Sequence, residues 1–360
     1  MLTSVEDRSA FVPDYASVGA NVVAGTPQGN GFRMPAEWTP HERTVMIFPA
    51  RHNTYEGNGR DNWYEAACDN WSKVALAVAA FEPVLMIAHT GEADIARHWC
   101  GDAVDIVEMP MNDPWSRDNG PSILCNDKGE RCAAGYVFNG WGDGHDECPE
   151  DGLIKGRIAH HLDLSIYPSP LVLEGGAITV DGEGTLITTE HCVMNRNRNP
   201  TMTKAEVEAE MGRQLGIEKV IWLPNGLVPD PITDGHVDGI CAFIAPGAVM
   251  VHTIDDRDDP NHEICNAARR VLESATDAKG RGFDIVEIPL AGEVAHMNYF
   301  IANDGVVVPT CGDAKADDRA LGIIREAFPG RKIVGIEAIT IAEGGGGVHC
   351  ITQQVPQAGA

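Results

Sequence analysis

Cations are scarce in this sequence: 27 lysines and arginines stand against 53 aspartates and glutamates, a formal net charge of −26 over 360 residues. Nucleic-acid binding relies on clustered lysine and arginine at the phosphates, so this balance argues against it. It suits a cationic ligand drawn by negative potential, or simply solubility in a salty medium. Long hydrophobic runs are missing too. The run at 74–81 is far short of the roughly 20 residues a spanning helix needs, so no membrane association is expected. The opening residues, Met1-Leu2-Thr3-Ser4-Val5-Glu6-Asp7-Arg8, lack a basic head followed by an apolar stretch, and no signal peptide is expected. The ten cysteines form no C-x-x-C pair and no compact spacing. That argues against a zinc ribbon or a disulfide scaffold, and a reducing cytoplasm is the expected setting. Neither glycine-rich stretch, 182–184 or 344–347, is followed by Gly-Lys-Ser/Thr, so nucleotide binding is not expected.

What is present is enough apolar material, 43%, for one large core or two ordinary ones. Residues 1–30 are turn-rich and read as an N-terminal arm, and residues 31–360 read as a single domain. Short β-rich runs ending in or near proline recur at 104–110, 164–170, 219–224, 283–289 and 332–338. Each leads into a loop rich in acidic, histidine, glycine or cysteine residues, then into a pair of apolar strands. The pairs are 122–125 with 133–138, 177–180 with 185–188, 241–244 with 248–252, and 299–302 with 306–309. The fifth unit has only a strand at 348–352, which the early strand at 44–49 could complete, closing a ring. Helical patterning falls between strands at 70–81, 203–216, 266–275 and 318–328, and Thr203 with Glu206 forms a capping signature. Five such units arranged radially make a closed, five-bladed α/β propeller with ββαβ-type repeats.

If the loops converge at the centre, so do Asp118, Glu174, His236, Asp238 and Cys350, each beside glycine. Singly, each has an ordinary alternative. Asp118 could pair with Arg117 at the surface, Glu174 could mark a turn, and His236 and Asp238 could share one face of a strand. Cys350 could be a plain buried thiol. The four consecutive glycines before it, Gly344 to Gly347, allow positive φ and close backbone approach. Together, three carboxylates, a histidine and a thiol suit a guanidinium. Carboxylates hold that planar cation, and its delocalised charge makes its carbon a poor electrophile that needs a thiolate. Histidine would supply the proton to a departing nitrogen. The carboxylates would disfavour the thiolate until the cation arrives. His-x-Asp at 236–238 is also a metal-ligand pattern, but the other paired histidines, His160-His161, fall on an expected surface helix, and no metal is expected.

The segments 31–42, 115–121, 173–176, 181–185, 195–200, 234–238 and 344–356 together resemble agmatine deiminases, of the guanidino-group-modifying pentein superfamily. The resemblance implies the pentein fold and a deimination that turns agmatine into N-carbamoylputrescine and ammonia. It implies that Cys350 attacks the guanidinium carbon, that Asp118 and Asp238 hold its nitrogens, and that His236 acts as acid then base. Glu174 completes the cage, with Trp115 and Gly347 in the substrate site, although Trp115 equally fits a core. No metal or organic cofactor is implied, and a homo-oligomer is. Residues 138–151 and Gly239 depart from the family pattern. The guanidino chemistry therefore stands more firmly than the tail, and arginine, peptidyl arginine, an amidinotransferase acceptor or a non-catalytic amine binder remain as alternatives.

Overall fold

Several strands of this chain are apolar without alternation, which is the signature of strands buried on both faces. In the computed structural model, which describes residues 12–52, 63–142, 148–292 and 294–359, several of them form second strands of the five sheets. Met46 and Ile47, Val249 to Val251, and Val306 to Val308 are all buried there. In every sheet the first strand pairs antiparallel to the second, and the second pairs parallel to the third. A parallel neighbour requires a crossover, and a helix supplies it each time.

The first blade consists of Ser122–Cys125, Arg131–Val137, the helix Asp151–His161 and Ser165–Val172. The second has Ile178–Val180, Thr185–Thr189, the helix Lys204–Leu215 and Lys219–Leu223. The third and fourth repeat the plan through Cys241–Ala245, Ala248–Thr253, Pro260–Ser274 and Asp284–Pro289, then Phe300–Ile301, Gly305–Thr310, Ala314–Ala327 and Lys332–Glu337. The fifth closes the ring. Its first strand is Gln353–Pro356 from the end of the chain, paired antiparallel with His41–Ile47 from near the beginning. The helix Trp63–Ala79 and Val84–Ala88 follow, with Asp105–Glu108 as an added parallel edge. All five first strands line one small central cavity of about 30 Å³, through Ser122, Thr179, Ala242, Ile301 and Gln354. The mixed α/β architecture expected from the repeats is the one observed.

Several boundaries differ for identifiable reasons. Residues 348–352 are not a strand: His349–Ile351 is a single 3-10 turn, and the strand starts at Gln353. Asp238 likewise sits on the 3-10 turn Val237–Gly239, with His236 just ahead of it, and the two do not share one face of a strand. The helices at 266–275 and 318–328 begin earlier, at Pro260 and Ala314, because Asp259 and Asp313 cap them by accepting backbone N–H bonds. The helix at 70–81 starts at Trp63, since Trp63, Ala67, Trp71, Val74 and Val78 form one buried face. In the N-terminal segment, Tyr15 is buried and Asn21–Val22 adds a parallel strand to the first blade, while residues 1–11 lie outside the described residues. Of the divergent loop at 138–151, residues 143–147 lie outside them as well. His160 and His161 are exposed at the end of their helix.

The capping signature at Thr203 is fully formed: its hydroxyl accepts the Glu206 N–H, and the Glu206 carboxylate accepts the Thr203 N–H. Gly216 ends the same helix in the left-handed conformation. Thr203→Ala is expected to cost about 1 kcal/mol of stability, read as a lower urea midpoint at unchanged slope.

Candidate active site

The loops before the first strands deliver polar groups toward the ring centre, two of them from the third blade. Asp118 lies on the short helix Ser116–Asn119 ahead of the first blade, and Glu174 precedes the 3-10 turn Gly175–Ala177 of the second. His236 and Asp238 precede the third blade, and Cys350 precedes the fifth. Gly176 shows how tightly they meet. A Cβ at that position would lie 2.6 Å from His236 Nδ1, 2.9 Å from Asp118 Oδ1 and 3.0 Å from Asp238 Oδ2. Cys350 Sγ is 3.6 Å from Asp238 Oδ2. All five sequence-selected polar residues therefore share one site.

Buried carboxylates need partners, and each has a distinct set. Glu174 is buried, which opposes ionisation, but the Arg198 guanidinium at 2.6 Å overcomes this and holds the carboxyl down at about 2. Arg198 reaches Asp234 with its other arm at 3.0 Å. Asp238 is kept below its usual value, against burial, by the His349 ring, whose Nδ1 lies 2.9 Å away. His349 Nε2 in turn contacts Glu37 at 2.9 Å. Burial acts against the His349 cation, with Arg117 adding to the penalty, yet the two carboxylates raise its pKa. Asp118 differs. It accepts Gly176 N–H at 2.9 Å and Trp141 Nε1–H at 2.9 Å, but burial and the neighbouring Asp238 and Glu174 push its pKa up. Behind it, the buried Lys155 donates to the carbonyls of Asp118 and Asn119 at 3.0 Å each, and burial lowers its own pKa to about 7.

His236 sits with Nδ1 3.8 Å from Asp118 and Nε2 3.5 Å from Glu174. Burial disfavours its cation, but Asp118, Cys192 and Glu174 outweigh burial and raise its pKa well above the ordinary value. Cys350 moves the same way, but here burial adds to the carboxylates instead of opposing them. Burial, then Asp238 and Asp118, hold the thiol protonated, against weaker help to the thiolate from Gly347 N–H and Asn298.

Sequence reading missed Asn298, although it stands before the first strand of the fourth blade, where the repeat calls for a site residue. Its Oδ1 accepts His349 N–H at 3.1 Å and lies 3.4 Å from Cys350 Sγ. An amide carries no charge, so nothing in the pattern singled it out. Arg198, Glu37, Trp141 and His349 lie within the segments 195–200, 31–42, 138–151 and 344–356 already noted, though none of them was singled out as a site residue. The glycine run is explained mainly by crowding: of Gly344 to Gly347, only Gly345 has positive φ. A Cβ on Gly346 would meet the Trp115 ring at 2.4 Å, and one on Gly347 would meet Asn298 at 2.3 Å. Trp115 itself is buried, with its ring edge-on to Trp71 at 5.4 Å.

A cavity of about 550 Å³ opens onto Cys350, His236, Asp238 and Asn298. Its other walls include Leu227, Ile232 and Leu290, with Asp230 and Asp259, and none of its described lining residues is lysine or arginine. A site of this kind suits a flat cation with a carbon chain.

Residues 33–356 match the Porphyromonas-type peptidyl-arginine deiminase family. An agmatine deiminase of Pseudomonas aeruginosa (strain LESB58) is 41% identical over 366 residues, covering 92% of this chain and 97% of that protein. That of Medicago truncatula is 37% identical over 374 residues, covering 92% and 98%. A solved structure of the agmatine deiminase of Enterococcus faecalis aligns with a TM-score of 0.88 at 34% identity, covering 94% of this chain and all of that one.

The charges around Cys350 make a direct prediction. In ligand-free protein at neutral pH, alkylation of Cys350 by iodoacetamide is slow, and its rate climbs only above the ordinary thiol range. Asp238→Asn removes a negative charge beside the sulfur, lowers the thiol pKa and speeds alkylation at neutral pH. Fast, pH-independent labelling of the wild type would contradict this arrangement.

Proposed function

Given that this chain belongs to the Porphyromonas-type peptidyl-arginine deiminase family, we propose that it is a C–N hydrolase that deiminates agmatine to N-carbamoylputrescine and ammonia. The observation that carries the reading is the convergence of His236, Asp118 and Asp238 on the side-chain-free face of Gly176, with the Cys350 sulfur 3.6 Å from Asp238. Asp118 and Asp238 accept N–H bonds from the guanidinium. Its positive charge offsets the carboxylates, so the Cys350 thiol ionises and releases its proton to solvent. The sulfur then attacks the guanidinium carbon, forming a C–S bond. His236, charged in the resting site, gives its proton to one amino group, which leaves as ammonia when the C–N bond breaks. The thiouronium that remains is attacked by water, whose proton His236 takes. The hydroxyl so formed gives up its remaining proton to solvent as the C–S bond breaks, and the ureido product leaves as the thiolate is restored. Glu174, tied to Arg198, steadies the charged imidazole between steps.

The cavity favours an amine tail over an amino-acid one. Leu227, Ile232 and Leu290 suit methylenes, and the acidic Asp230 and Asp259 suit a distal ammonium. The α-carboxylate of arginine would find no lysine or arginine among the described lining residues. We further propose that the protein works as a homo-oligomer in the cytoplasm. The reducing setting is supported by ten cysteines that are all free, and light scattering on purified protein tests the assembly. Among the described residues no helix is long and apolar enough to cross a membrane.

Incubation with agmatine, free arginine and a blocked arginine peptide, with assay of ammonia and ureido product, tests the substrate. Release from agmatine alone is expected, whereas release only from arginine would replace the substrate and release from none would leave a binder. Cys350→Ala is expected to abolish turnover, and retained activity would rule out the covalent route. Gly176→Ala places a methyl against three catalytic groups, and turnover is expected to fall at least about 100-fold.

A further inference from the structure

Three groups of metal-ligating side chains occur among the described residues, and their spacings separate them. In the first, His296 Nε2 lies 2.7 Å from Asp317 Oδ1, which also accepts Cys311 N–H at 2.9 Å. That is a hydrogen-bonded anchor, too close for an ion between the two atoms. The second, Asp181 with Glu183 and Asp277, already has its cation, since Arg281 bonds both Asp277 and Glu183. The third is Glu174, Cys192 and His236, all buried.

Here the spacing is different. Glu174 Oε1 is held by Arg198, leaving Oε2 at 3.5 Å from His236 Nε2 and 3.8 Å from Cys192 Sγ. His236 Nε2 is buried and has no aligned hydrogen-bond partner. The short helix Glu190–Val193, capped by Thr189, fixes Cys192 in place. Tetrahedral zinc, with bonds of about 2.0–2.1 Å to nitrogen and oxygen and about 2.3 Å to sulfur, sets its ligand atoms roughly 3.3–3.6 Å apart. The observed separations need only small adjustments to match. A sulfur and an imidazole nitrogen also select zinc or cadmium over magnesium and calcium. Of the three, His236 lines the cavity, and Glu174 and Cys192 are buried.

We propose that Glu174, Cys192 and His236 form a site for a thiophilic divalent cation, with zinc as the physiological candidate, whose binding blocks the reaction by capturing His236. Cys192 binds as thiolate and His236 as neutral imidazole, so two protons leave to solvent as one doubly charged ion enters. Water completes the coordination. The inhibitory effect rests on His236 being the acid and base of the proposed deimination, whereas metal binding itself does not.

The test uses the full chain carrying Cys350→Ala, so that the nucleophilic thiol cannot serve as a ligand. Calorimetric titration with zinc is expected to show one ion per chain, and magnesium no binding. Cobalt is expected to give a thiolate charge-transfer band with tetrahedral ligand-field bands. Adding Cys192→Ala is expected to weaken zinc at least tenfold and remove the cobalt–thiolate band. Zinc affinity unchanged by Cys192→Ala, or lost with Cys350→Ala alone, would overturn the site. If the double variant does not fold, a cobalt spectrum without a thiolate band in the single variant overturns it equally. In the wild type, zinc is expected to stop ammonia release from agmatine and a chelator to restore it. Zinc binding with undiminished turnover would overturn the inhibitory role and leave the site itself standing. A wild type with no turnover on any substrate, yet an intact cobalt spectrum, would count against the deiminase reading alone.

Discussion

Three buried carboxylates within a few ångströms of one another cannot all ionise without cations beside them. The rest of the structure follows from how that problem is met. Glu174 has Arg198, itself braced by Asp234, and Asp238 has the His349 ring, itself braced by Glu37. Asp118 has N–H donors from Gly176 and Trp141 and shares His236 with Glu174. The arrangement is therefore most favourable with one more planar cation in place. The same field holds Cys350 as a thiol, so in the proposed reaction ligand binding and thiol ionisation become one electrostatic event.

The repeat supplies the positions for this. Each blade enters its sheet through a strand at the ring centre, and the residues just before that strand face the site. One blade gives Asp118, the next Glu174, then His236 with Asp238, Asn298 and Cys350. The last two touch, with Asn298 joining the His349 N–H to the sulfur. Trp115 and Trp71 pack behind the glycine run, so the turn that carries the thiol rests on the fifth blade's core.

Much of this was legible in the sequence because a repeat multiplies weak signals. No single loop identified Asp118 or Glu174, but their recurrence after similar β runs did, and ring closure by residues near 44–49 followed from a unit one strand short. What was hidden depended on contacts between distant segments. Asn298 is neutral and looks like any loop residue until His349 and Cys350 are seen beside it. Cys192 was one thiol among ten until the fold set it next to His236. At 348–352 the β-branched composition suggests a strand, but His349 N–H is taken by Asn298 and Thr352 N–H by the His349 carbonyl, which closes a 3-10 turn instead.

Ring closure has a consequence for biosynthesis. Val45, among the earliest core residues to leave the ribosome, finds its antiparallel neighbour only when Gln353 arrives. Until then an apolar sheet edge stays unpaired, open to chaperones or to self-association. Cys350, the proposed nucleophile, lies just ahead of the strand that shuts the circle, so nascent or prematurely terminated chains carry the anionic pocket without its sulfur. Chemistry and topological completion thus arrive within a few codons of each other.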